Sequence, residues 1–143
     1  MRKFWNTSAD GTFETSGNWT PTGVPGEGDL AFITATGSPY TVTTSTDVTV
    51  TGVSLSADAT LDVTNSKTLT AVEGTATGAN LGVIQIEAGS RFIFGGVLNN
   101  QNTITSAAGA LTDFFVLGIP RLRAAESSFF RITPTTPLGG SIR

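Results

Sequence analysis

From residue 30 onward the apolar residues of this chain recur at every second position, and that period limits what it can fold into. Tyr40, Val42, Val48, Val50, Val53, Leu55, Leu61, Val63 and Leu69 alternate with Thr, Ser and Asp. Period two places successive side chains on opposite sides of an extended strand, one side buried and one in water. β-branched residues suit such a half-buried pleated surface. No run with helical spacing occurs before residue 110. Only 13% of residues are charged and 38% are hydrophobic, but the net charge is just −3. Disordered chains combine few aliphatics with high net charge, so the composition and the regular alternation together indicate an ordered all-β protein.

How the strands are arranged is suggested by an internal similarity. The segment 53–63 (VSLSADATLDV) aligns without gaps on 84–94 (IQIEAGSRFIF), an offset of 31 positions. Each copy reads as strand, four-residue corner, strand. Such a unit cannot bury its own inner face, whereas stacked units form one continuous narrow core. The expectation is a short β-solenoid, or parallel β-helix, with 53–63 and 84–94 lying over one another on adjacent coils; a β-sandwich of the same strands is the alternative. Corners are expected at Ser56–Ala59, at Asn65–Lys67 and at Glu87–Ser90. The Asn-rich stretch 95–105 is expected to stack its asparagines in a ladder, with an Asn-rich hairpin loop as the other reading. Three regions follow: a turn-rich cap over 1–29 carrying Phe4, Trp5, Phe13 and Trp19; a solenoid body over 30–110; and an assembly segment with an extended arm over 111–143.

The chain has no Cys and no His. Thiolate chemistry is therefore excluded, together with the commonest general base and the commonest metal ligand. Carboxylate pairs such as Asp58 with Asp62 or Glu27 with Asp29 are read as solvated turn acids, and the turn 26–29 lacks the ordered ligand spacing of a calcium loop. No catalytic residue, cofactor or metal is expected, and the chain is expected not to be an enzyme. The opening MRKFWNTSADG lacks the apolar core of a secretory signal, and no run reaches the length of a membrane helix. Residues 1–113 carry four basic and ten acidic side chains, which disfavours nucleic acid as a partner.

The last thirty residues invert the charge, with Arg121, Arg123, Arg131 and Arg143 against Glu126. They also carry the densest apolar cluster, Phe114, Phe115, Val116, Leu117 and Ile119, followed by Phe129 and Phe130. Those residues, with Arg121, Arg123 and Arg131, are the expected interface with other copies or with a partner protein. The acidic body and basic tail favour attraction between copies.

Trp5, Asn18-Trp19, Gly23-Val24-Pro25, Gly28-Asp29 and Phe32-Ile33 resemble the opening of bacterial passenger-type and phage β-solenoids, and 96–104 (GVLNNQNTI) is similar to their coil motif. The resemblance spans about residues 4–105. It implies a viral structural protein, a capsid decoration or cement protein or a short fibre, located on the virion and acting as a homotrimer bound to a capsid or other virion protein. The alternative it implies is an adhesin or glycan-binding module at a cell surface, with Trp5, Trp19 and Tyr40 as stacking rings.

Overall fold

The computed structural model describes residues 1–114, 122–123 and 130–132, with side chains through residue 110. It is a β-solenoid of about four turns. The parallel strands are β1 (Arg2–Trp5), β2 (Gly11–Thr12), β4 (Leu30–Ile33), β5 (Tyr40–Thr44), β6 (Val48–Val50), β7 (Gly52–Leu55), β8 (Ala59–Val63), β9 (Thr68–Ala71), β10 (Val83–Ile86), β11 (Arg91–Phe94), β12 (Thr103–Ser106) and β13 (Leu111–Phe114). Three antiparallel strands lie at the two ends: β3 (Trp19–Thr20) beside β1, β14 (Leu122–Arg123) beside β13, and β15 (Phe130–Ile132) beside β12.

The coils stack into three faces. Face A is ordered β3-β1-β4-β7, face B is β15-β12-β10-β8-β5-β2, and face C is β14-β13-β11-β9-β6. In-register pairing turns the sequence alternation into columns of like side chains. On face B, Val42, Leu61, Ile84 and Ile104 follow one another inward, all fully buried. On face C the inward column Leu69–Phe92 stands beside Ala71–Phe94, and the two phenylalanine rings lie 5.1 Å apart. Each fully buried aliphatic contributes about 1.5–3 kcal/mol, so the columns form one narrow core along the axis. The side chains between them, mostly Thr, form the outer surface.

The stacking register corrects the 31-position alignment. Val53–Leu55 lies in β7 against β4, whereas Ile84–Ile86 lies in β10 against β8. The true steps are 19 positions (Val42 to Leu61), 23 (Leu61 to Ile84) and 20 (Ile84 to Ile104). The error has a physical cause. Ser56–Ala59 turns the chain from face A to face B, closed by Ala59 N–H donating to the Ser56 carbonyl at 3.1 Å. Glu87–Ser90 turns it from face B to face C, closed by Ser90 N–H donating to Glu87 at 3.0 Å. Both corners obey the same local rules, so matching them shifts the comparison by one face. The corner that lies beneath Glu87–Ser90 is Thr64–Lys67, where Asn65 and Ser66 adopt positive φ.

Face A loses its regular strand after β7. The chain over 72–82 crosses there as a loop along the β7 edge, where Val53 N–H donates to the Gly74 carbonyl and Leu55 N–H to the Ala79 carbonyl, each at 3.0 Å, and all four β7 residues are buried. A Cβ on Gly78 would sit 1.7 Å from Ser54 Oγ, so a larger residue at that crossing would force Ser54 to shift. Here the asparagine ladder forms. The face A contacts Ile33–Leu55, Leu55–Asn80 and Asn80–Asn100 continue an apolar column as an amide column. Asn80 Nδ2 donates to Asn100 Oδ1 at 2.7 Å and to the Thr103 carbonyl at 3.1 Å, while its Oδ1 accepts from Gly82 N–H at 3.1 Å. The expected ladder is present, but its first member lies outside the Asn-rich stretch.

Candidate functional site

The aromatics of the first thirty residues divide by the strand period. In β1, Lys3 and Trp5 point inward, while Arg2 and Phe4 point outward. Phe13 and Trp19 close the end of the core, fully buried, with ring centroids 4.9 Å apart; Trp5 meets Trp19 edge-on at 5.2 Å. Both indoles are satisfied internally, Trp19 Nε1 donating to the Phe13 carbonyl at 2.8 Å and Trp5 Nε1 to Ala9 at 3.2 Å. Tyr40 is buried as well. The three rings expected to stack on a sugar are thus core residues.

Phe4, expected among the anchors of the cap, faces outward instead. It stands 43% exposed on the outer surface of face A. It stacks on Phe32, its partner in the next strand, with centroids 5.1 Å apart and planes 18° from parallel. The Arg2 guanidinium lies 5.9 Å from the Phe32 centroid, within range of a cation–π attraction. Arg2 is in register with Leu30, so Arg2, Phe4, Leu30 and Phe32 make a two-by-two block on two adjacent strands. Because each phenyl spends one face on the other, the block offers apolar edges and a guanidinium.

Face B carries the complementary chemistry. Its outward row reads Thr43, Asp62, Gln85 and Thr105, with Arg131 of β15 next in register. Burial, and then the neighbouring Glu87, push the Asp62 carboxyl up to about 6. Gln85 Nε2 donates to Glu87 Oε1 at 2.5 Å, while Asp62 Oδ1 is buried with no hydrogen-bond partner. Asp62 therefore faces Glu87 across a coil step, and not Asp58. Asp58 instead accepts Gly37 N–H at 3.0 Å in a turn.

In the turn 26–29, Asp29 Oδ2 accepts Gly26 N–H at 3.0 Å and Oδ1 faces the terminal amine at 3.4 Å. The Gly26 bond leads in holding that carboxyl below its ordinary value. Among the described residues, no three Asp or Glu side chains converge as cation ligands.

The expected C-terminal interface is described only in part. Phe114 ends β13, in register with Phe94 and Leu122; Arg123 in β14 pairs with Asp113; Phe130 and Arg131 in β15 stand opposite Ser106 and Thr105. Phe115, Val116, Leu117, Ile119, Arg121 and Phe129 lie outside the described residues.

Fold and surface together define a short parallel β-solenoid with an aromatic–guanidinium patch on one face and a carboxylate pair on the next. No protein-family model, no curated protein and no solved structure matches the chain.

Proposed function

We propose that this chain is a structural protein that works by adhesion: a rigid solenoid that assembles with copies of itself and seats on a protein lattice. The role is that of a capsid decoration or cement protein or a short fibre of a virus particle, assembled as a trimer; a bacterial cell surface is the alternative seat. The observation that supports it is the Arg2–Phe4–Leu30–Phe32 block. A solvent-exposed phenylalanine stack on an in-register sheet costs solubility and adds nothing to the core, but it is the kind of apolar centre with a charged rim that protein interfaces use. The in-register pairing of the strands that carry the block supports the same reading, because a preorganised surface loses little entropy on docking. A glycan platform is less well supported, since Trp5, Trp19 and Tyr40 are buried.

Sedimentation velocity over a concentration series tests the proposal. The wild-type chain is expected to sediment as a trimer, and Phe4→Ser to weaken association by about tenfold or more, or roughly 1.4 kcal/mol, without changing the far-UV circular dichroism. A wild-type chain that sediments as a monomer throughout overturns the reading.

A further inference from the structure

We infer that the partner of the face A block is face B of a second copy of this chain, so that assembly runs face to face and head to tail. The inference rests on the adhesive role proposed above and names its contact. Among the described residues, face A presents one outward cation, Arg2, beside two stacked phenyl rings. On face B the outward positions of β5, β8, β10 and β12 within the described side chains are Thr41, Thr43, Thr60, Asp62, Val83, Gln85, Thr103 and Thr105, with Asp62 their only charge. Just beyond β10 stands Glu87. Within its own chain this pair holds an unfavourable arrangement: two carboxyls close together and one buried oxygen, Asp62 Oδ1, without a donor. A guanidinium arriving from outside brings a positive charge beside the two acids and donors for the carboxylate oxygens that solvent reaches; Asp62 Oδ1 itself is buried and stays out of reach. The phenyl edges alongside would lie on the threonine methyls and Val83.

The two patches sit on neighbouring faces joined by the Ser56–Ala59 corner, so they are not self-complementary. Docking one on the other is therefore a heterologous contact, in which every copy uses both faces and can bind two neighbours. An isologous pairing of face A with face A would instead bring two Arg2 side chains together and leave the carboxylate pair as it is.

The absence of cysteine makes the contact directly readable. Leu30→Cys marks face A beside Arg2, and Gln85→Cys marks face B beside Asp62; both leave the charged residues in place. Under mild oxidation an equal mixture of the two variants is expected to give a disulfide-linked heterodimer, and neither variant alone a covalent dimer. Charge reversal supplies the second arm. Arg2→Asp alone and Asp62→Arg alone are each expected to weaken association by at least about tenfold, and the double variant, which swaps the signs, to recover it. Leu30→Cys cross-linking to itself overturns the inference in favour of face A pairing. Wild-type oligomers that survive both single reversals also overturn it, leaving the adhesive role standing with another contact. A wild-type chain that is monomeric throughout removes both.

Discussion

Asn80 shows how much one side chain can hold in this architecture. It is fully buried, and its amide serves a side chain, a carbonyl and a backbone N–H on two coils. Replacing it with the isosteric but apolar Leu leaves Asn100 Oδ1, the Thr103 carbonyl and Gly82 N–H without that partner. Leaving a buried polar group unsatisfied costs about 1–3 kcal/mol, so Asn80→Leu is expected to lower the urea midpoint by an amount corresponding to about 2–3 kcal/mol. Asp62 gives a pH signature of the opposite kind. Its carboxyl rises from an ordinary 3.8 to about 6, so the folded chain holds the proton more tightly than the unfolded one. For this group, stability is greatest at low pH, falls as pH rises from about 4 to about 6, and is level above that. Asp62→Asn is expected to remove that slope and raise the urea midpoint at neutral pH; the two chains should converge in acid. A midpoint that drops on substitution at neutral pH contradicts the placement of Asp62 beside Glu87.

At the scale of elements, the alternation of residues 30–71 and 83–94 made the strands legible, because period two has one structural meaning when β-branched residues fill it. Corners were legible too, since Ser56–Ala59 and Glu87–Ser90 carry small and turn-forming residues at the right length. What the sequence did not disclose was which corner lies over which. A corner's residue types record the turn and not its place around the axis, so two equivalent corners on different edges align well. The candidate site was less legible. Whether Phe4 or Trp5 faces outward depends on the phase of a four-residue strand, fixed only when β1 pairs with β4. Asp62 and Glu87 are brought together by a 23-position step that local pattern does not contain. The irregular crossing over 72–82 is a third case. Gly82 passes so close beneath the preceding coil that a Cβ would lie 2.1 Å from the Ala59 carbonyl oxygen and 2.5 Å from that of Ser56. Both obstacles are backbone and cannot step aside. Gly82→Ala is expected to cost at least about 3 kcal/mol in chemical denaturation, against less than about 0.5 kcal/mol for Gly17→Ala, where nothing lies within 4 Å.

For the whole molecule, the parallel stack explains why so lightly charged a chain can be ordered. Each coil buries its inner residues against the coils on either side, and the ends are where that supply of neighbours stops. At one end Phe13 and Trp19 cover the core, with β3 turned antiparallel against β1. At the other, β14 and β15 lie antiparallel on faces C and B. At these three positions an antiparallel strand pairs with a backbone edge that would otherwise template further pairing. This arrangement of the ends depends on the coil register. Thr60 and Val83 are outward-facing partners on β8 and β10, whereas Ser54 and Gln85, matched by the 31-position alignment, lie on different faces. The most direct test is disulfide trapping in the folded chain. Thr60→Cys with Val83→Cys is predicted to close an intrachain bond on mild oxidation and Ser54→Cys with Gln85→Cys to stay reduced; the reverse outcome would contradict the stack.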